Sequence, residues 1–244
     1  MSTNRLHPLL EVPVEEPDGV ALFHGVLLEA RRPDECAPVD TWRYRRVKRA
    51  LDFCGAVFLL LLFAIPCFLI AAIIALTSPG PIFYREERIG RYGRSFRIWK
   101  FRSMYRDAAQ RSHIAAAKHG GVVLEWRMRK HLSDPRVTAI GAVLRSWSLD
   151  EIPQLLNVLR GEMSLIGPRP IVKSEAPLYG DFLPYYLAAT PGMSGLWQVS
   201  GRSGVDYNKR ARLDMHYVEF WSLGLDFRIF FETFPAVLGR VGAR

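Results

Sequence analysis

Two adjacent carboxylates, Asp150 and Glu151, are the residues of this chain best placed to do chemistry. Neighbouring carboxylates supply the hard oxygen ligands that a divalent cation takes, and a carboxylate can also act as a nucleophile toward an electrophilic centre. Arg145 precedes the pair; Arg160 and Arg169 follow it, the last inside Gly167-Pro168-Arg169-Pro170. Arginine holds phosphate through a planar fork of donors. Carboxylates, a cation and arginines within one run of 27 residues, Leu144 to Pro170, point to phosphoryl chemistry.

The same run predicts the element that carries the pair. Ile152, Leu155, Leu156 and Leu159 recur at helical intervals and share one face. Pro153 belongs in a first turn, where its missing N–H needs no partner. That places Asp150 at the helix N-terminus, beside unpaired N–H groups and the positive end of the dipole. A purely structural reading stands beside the chemical one: Asp is a preferred N-cap, and Ser148-x-x-Glu151 has capping-box spacing.

The segments Leu144-Arg145, Ser148 to Leu155, Asn157-Val158, Gly161 to Ser164 and Ile166 to Pro170 together resemble the signature of the bacterial sugar transferases, the monotopic phosphoglycosyl transferases that act on polyprenol phosphate. The resemblance extends over roughly Arg43 to Phe234. It takes in Pro81-Ile82-Phe83, Lys100-Phe101-Arg102-Ser103-Met104, Asp134 to Thr138, and the loop Pro191-Gly192-Met193-Ser194-Gly195-Leu196-Trp197-Gln198-Val199-Ser200-Gly201-Arg202. It implies transfer of a hexose 1-phosphate from a UDP-sugar to undecaprenyl phosphate with release of UMP, as the first membrane step of exopolysaccharide, capsule or O-antigen synthesis. By the same resemblance Asp150 is the nucleophile and forms a phosphosugar–aspartate intermediate. Glu151 binds Mg²⁺, and Arg145, Arg169 and Arg202 contact phosphate. Lys100 and Arg102 are further substrate-binding candidates, with solvated strand charges or headgroup contacts as the alternative.

The formal net charge is +9, which suits phosphorylated substrates or anionic lipid as well as nucleic acid. The sequence carries no helix-turn-helix, zinc-finger or RNA-binding signature, so nucleic acid is not an expected partner. Cys36, Cys54 and Cys67 lack metal-ligand spacing, and two of them lie inside an apolar run, so a structural disulfide is not expected, which fits a domain in the reducing cytosol.

Positioning at a membrane is written into residues 43–102. Arg43, Arg45, Arg46, Lys48 and Arg49 precede an uncharged run from Phe53 to Leu76. A straight helix over that run measures about 36 Å, enough for a bilayer core of about 30 Å. Arg85, Arg88, Arg91, Arg94, Arg97, Lys100 and Arg102 follow it. Both flanks therefore ask for the cytoplasmic side. Pro66, mid-run, removes a helical hydrogen bond. A broken helix that enters and leaves by one face satisfies both flanks, and the resemblance implies the same: its re-entrant helix breaks at a Ser-Pro pair, of which only Pro66 remains here, after Ile65.

The expected fold is α+β and mostly helical, with a re-entrant membrane helix ahead of a catalytic domain on the cytoplasmic face of a bacterial inner membrane. Residues 1–42 read as a loosely docked leader, in which Val20 to Leu28 could form a short element; 43–78 are the basic segment and membrane helix, and 79–244 the transferase domain. Ile82 to Tyr84 and Phe96 to Phe101 read as strands, Asp107 to Lys130 as a polar helical insertion, and Tyr179 to Tyr186 as a helix. Asp226 reads as an N-cap. A homo-oligomer is left open. A non-catalytic basic scaffold at the membrane, binding a protein or nucleic acid, explains the charge and the apolar run but not the co-occurring motifs.

Overall fold

A computed structural model describes residues 38–111, 114, 134–200 and 207–238. The leader up to residue 37, with Val20 to Leu28, most of the polar insertion and Arg202 lie outside the described residues.

The apolar run forms two helices. A π-helical turn at Arg43–Lys48 leads into α1 (Arg49–Leu62), and α2 (Ala64–Thr77) follows after a bend of 61°. Among the described residues no single helix is long and apolar enough to cross a membrane. The bend falls at Phe63 (φ −93°, ψ 7°), three residues before Pro66. Proline has no N–H to return to the carbonyl four positions back, here Leu62. One side of the pair packs on the domain, where Ala56, Ile70 and Ile74 are buried. The other side leaves Phe58, Leu61, Ile65 and Phe68 more than 60% exposed. An apolar face of this extent marks a surface built for a non-aqueous or protein partner.

The two predicted strands form an antiparallel hairpin, longer than expected on the first strand. β1 (Phe83–Ile89) pairs with β2 (Ser95–Phe101) in the register Tyr84 to Lys100 and Ile89 to Ser95. β2 would present an open edge. Fully buried Asn157 closes it: its Oδ1 accepts from Trp99 N (3.0 Å) and its Nδ2 donates to Arg97 O (2.8 Å). α3 (Ala139–Ser146) is capped by Thr138, whose hydroxyl accepts from Gly141 N at 2.9 Å. Gly141 is needed there because a Cβ would lie 2.0 Å from Ser103 O.

A 3₁₀ helix, Leu149–Gln154, then runs into α4 (Leu155–Arg160). β3 (Ser164–Ile166) pairs in parallel with β4 (Gly192–Ser194). Gly192 permits this, since a Cβ would meet Gly167 N at 2.1 Å. The expected helix over Tyr179 to Tyr186 is two elements. A 3₁₀ segment, Lys173–Phe182, breaks at Gly180 (φ 49°) before α5 (Leu183–Ala188). α6 (Leu196–Val199), α7 (Tyr207–Glu219) and α8 (Leu223–Leu238) complete the described chain.

Asp226 is not an N-cap: it lies inside the first turn of α8, and its carboxylate turns into the core. It accepts from Lys48 Nζ (2.7 Å), Tyr217 Oη (2.8 Å) and Trp221 Nε1 (3.0 Å). Lys48 also reaches Asp52 Oδ1 at 3.8 Å, and that oxygen accepts from Ser164 Oγ (2.9 Å) and Leu165 N (3.0 Å). This buried network fastens the base of α1 to β3, α7 and α8.

A second buried acid, Asp214, accepts from Tyr179 Oη at 2.8 Å. Burial pushes its carboxyl up to about 7; the Tyr179 hydrogen bond and Arg210 only partly oppose this. An unfolded Asp titrates near 3.9, so the native state holds a proton that the unfolded state lacks, and stability falls as pH rises between the two values. Asn at this position keeps an acceptor for Tyr179 and has no charge to bury. Asp214→Asn is therefore expected to leave the unfolding free energy nearly unchanged at pH 3 and to raise it at pH 8, by up to about 4 kcal/mol for a shift of about three pH units. Denaturant melts at the two pH values check it; an equal effect at both would contradict the buried-charge account.

Candidate active site

Asp150 and Glu151 do not sit at an α-helical N-cap. Ser148 takes a left-handed conformation (φ 55°, ψ 21°) and its side chain makes no capping bond, so the capping box is absent. The chain turns sharply at Ser148, and the two carboxylates fall in the first turn of the 3₁₀ helix. A left-handed non-glycine residue is uncommon and stores strain of order 1–3 kcal/mol, held by the packing around it. Here Ile152 and Leu155 supply that packing against Phe96, Ile98 and Val158.

The carboxylates face different surroundings. Asp150 is buried, at 7% exposure. Burial pushes its carboxyl above the usual range and the adjacent Glu151 charge adds to this, while Lys100 and Arg145 pull back only in part. Glu151 is partly exposed and accepts from Lys100 Nζ at 2.6 Å. Burial works against its charge too, but Lys100 and Arg169, with Arg88 behind them, overcome it and hold the carboxyl down at about 2. One acid is thus desolvated and high in energy when ionised, and its neighbour is a firm anion. Coupled acids whose environments push them apart are a mark of functional sites.

Of the predicted site residues, the structure brings Asp150, Glu151, Lys100, Arg145 and Arg169 together. Lys100 comes from β2, across from the 3₁₀ helix. Arg145 ends α3, with its Nε on Ser103 Oγ at 2.9 Å. Arg169 is exposed, with its guanidinium 5.9 Å from the Trp197 ring centroid. The glycine-rich loop folds back onto the Gly167–Pro170 segment: Gly167 N donates to Ser194 O (2.8 Å) and Gly192 N to Pro168 O (2.7 Å). Arg102 is directed elsewhere. It is buried and donates to Ser78 O and Oγ (both 2.6 Å) and Pro79 O (3.2 Å), clamping the turn that leaves α2.

Two contributors escaped the sequence reading. Arg88, counted there only as flanking charge, is buried beside Glu86 and donates to Pro170 O at 3.1 Å. It fixes the segment that carries Arg169. Tyr186 works with it, donating to Ile89 O (2.6 Å) and accepting from Ile171 N (3.2 Å). The only hint of either was a cation, or an aromatic, within a patterned segment.

The model of the bacterial sugar transferase family matches residues 43–240, more than half of the chain. The chain belongs to the bacterial sugar transferases. The exopolysaccharide production protein ExoY of Rhizobium meliloti is 46% identical over 191 residues, covering 78% of this chain and 84% of that protein. The undecaprenyl-phosphate galactose phosphotransferase of Salmonella typhimurium is 44% identical over 200 residues, 82% of this chain and 42% of that longer protein. The UDP-glucose:undecaprenyl-phosphate glucose-1-phosphate transferase of Caulobacter vibrioides is 41% identical over 200 residues, 78% of this chain and 69% of that protein. The transferase is thus a phosphoglycosyl transferase by family.

Proposed function

We propose that the transferase moves a hexose 1-phosphate from a UDP-sugar to polyprenol phosphate at a bacterial inner membrane, releasing UMP on the cytoplasmic face and starting an exopolysaccharide repeat. The observation that carries this reading is a buried, energetically raised Asp150 beside a firmly ionised Glu151, ringed by Lys100, Arg145 and Arg169, in a chain of this family.

Asp150 supplies the nucleophile. Its carboxylate oxygen bonds to the phosphorus that bears the sugar, the bond from that phosphorus to the bridging oxygen breaks, and UMP leaves with the electron pair. An oxygen of polyprenol phosphate then attacks the same phosphorus and returns Asp150 as a free carboxylate. Splitting the transfer this way lets one site serve a soluble donor and a lipid acceptor in turn. Arg145 and Arg169 hold phosphate oxygens and balance charge developing on them. Desolvation makes Asp150 a reactive anion, and Lys100 keeps Glu151 from swinging onto it.

Mg²⁺ fits this donor set. Among the described residues no three His, Cys, Asp or Glu side chains cluster as a closed cage, and magnesium is usually held by one or two carboxylates plus substrate phosphate. Glu151, ionised and partly exposed, would hold it, and its charge would offset repulsion between Asp150 and the diphosphate.

The exposed face of α1 and α2 gives the enzyme its bilayer seat, with the basic residues before and after the pair at headgroup level. Names of the relatives give galactose in one case and glucose in another, so the donor is decided by assay. Purified enzyme with Mg²⁺, undecaprenyl phosphate and a panel of UDP-sugars should release UMP with one hexose. With that donor and no lipid acceptor, labelled UMP should exchange into UDP-sugar. Turnover without exchange would remove the covalent step; no UMP from any donor would remove the reaction.

The coupling at the site also sets a pH dependence. Asp150 must be ionised to attack, and its carboxyl stands above the ordinary range, so activity should fail on the acid side at a pH higher than a free aspartate would give. Lys100 favours the ionised form. Lys100→Met should therefore move the acid limb of kcat/KM to still higher pH, besides slowing the reaction. A limb that stays put or moves down would contradict the electrostatic role of Lys100.

A further inference from the structure

A second cationic cleft lies at the base of α1, apart from the carboxylates. It encloses about 470 Å³ between α1, the β1–β2 turn and the end of α4, and none of Asp150, Glu151, Lys100, Arg145 or Arg169 lines it. Phe96 in its wall and Lys100 at the active site are four residues apart on β2, about 13 Å. Six cations line the cleft, Arg45, Lys48, Arg49, Arg91, Arg94 and Arg160, against the carboxylates of Asp52 and Glu162.

Three of those cations have structural work. Lys48 lies between Asp52 and Asp226; Arg49 donates to the carbonyls of Val158 and Leu159; Arg91 donates to Ala188 O and Val39 O. Of the other three, Arg45 pairs only with Asp40, and Arg94 and Arg160 are free of carboxylates among the described residues. Arg45 is half exposed and touches Asp40 only at 3.3 Å. Arg94 and Arg160 are exposed, and among the described residues neither has a carboxylate within ion-pairing distance; Arg160 instead lies over the Trp99 ring at 5.5 Å. A concave site with several uncommitted guanidinium groups is built for a phosphate-bearing anion.

The surroundings say which kind. From Arg49 at the cleft, Phe53, Val57 and Leu61 follow as successive i, i+4 neighbours along α1, exposed by 48%, 37% and 74%. Arg49 itself packs over the Phe53 ring at 5.8 Å. A cationic pocket that continues directly into an exposed apolar row matches an amphiphile with a phosphate head and a hydrocarbon tail. We propose that this cleft holds the headgroup of an anionic phospholipid, with its acyl chain along Phe53 and Val57, as a station separate from the catalytic centre. The proposal rests on the bilayer seat of α1 and α2, not on the transfer chemistry.

Photolabelling tests it. The enzyme is placed in phosphatidylcholine nanodiscs doped with phosphatidylglycerol carrying either a headgroup or an acyl-tip diazirine, and labelled peptides are mapped. Acyl-tip label on Phe58 to Phe68 reports the bilayer seat. Headgroup label on Tyr92 to Phe96 and Arg160 to Met163 is expected from phosphatidylglycerol and not from a phosphatidylcholine probe. It should fall roughly tenfold in an Arg94→Gln, Arg160→Gln double variant, with the acyl-tip label unchanged. Equal headgroup labelling from both lipids, or labelling indifferent to the double variant, overturns the proposal. So does loss of the phosphatidylglycerol label on adding undecaprenyl phosphate or inorganic phosphate, which assigns the cleft to those anions. Absence of acyl-tip label removes the bilayer seat, and the lipid station with it.

Discussion

Asp150→Asn is expected to abolish UMP release and the UMP–UDP-sugar exchange, lowering kcat by on the order of 10⁴-fold or more. An amide oxygen carries no charge for attack on phosphorus. The neighbouring carboxylate cannot substitute, because Glu151 is held by Lys100 at 2.6 Å. Stability should move the other way. The ionised Asp150 is penalised first by burial and then by Glu151, and a neutral isostere of the same size removes both penalties. The variant should therefore melt no lower than the wild type while losing its chemistry. Wild-type turnover in Asp150→Asn would reduce the residue to a structural acid. A large drop in melting point would assign its loss of activity to the fold.

The second large effect lies in the buried network under α1. Asp226→Ala leaves Lys48, 4% exposed, without its 2.7 Å counter-ion and strips acceptors from Tyr217 and Trp221. Removing one member of a buried ion pair costs about 3–5 kcal/mol. The expected result is a loss of that size in the unfolding free energy from denaturant melts in detergent. The triple variant Lys48→Met, Asp52→Asn, Asp226→Leu takes away all three charges of the network and should regain most of the loss, since apolar or neutral replacements of buried ionic groups are often neutral or better. A single variant within about 0.5 kcal/mol of the wild type would show that the network contributes little.

What the sequence revealed follows a physical division. That Asp150, Glu151, Arg145 and Arg169 gather in one place was legible because their spacing along the chain is local. The break in the apolar helix pair was legible from Pro66 and from charge on both flanks. The hairpin was legible from alternation and the Gly90 and Gly93 turn. Contacts closed by distant parts of the chain were hidden. Asn157 stood in the sequence only as part of a motif, yet it satisfies the edge of β2 across 58 and 60 positions. The left-handed turn at Ser148 left no signal, since serine there looks like a cap. Arg102 looked like a phosphate ligand, and its donors go to the Ser78 turn 24 residues back. Asp226 looked like a cap by position because its real partner, Lys48, lies 178 residues away.

That last separation has a bearing on how the protein is made. Lys48 meets Asp52 within one helical turn, so this contact can form as soon as α1 does. Asp226 is synthesised 178 residues later, which at about 5–20 residues per second is roughly 9–36 s. Through that interval α1 carries a lysine whose principal counter-ion does not yet exist, and its apolar surface has already emerged from the ribosome. The amphipathic base of the arm must stay in water or among headgroups until α8 arrives to enclose it. The buried network around Lys48 is thus completed only when α8 arrives, as one of the last steps of folding.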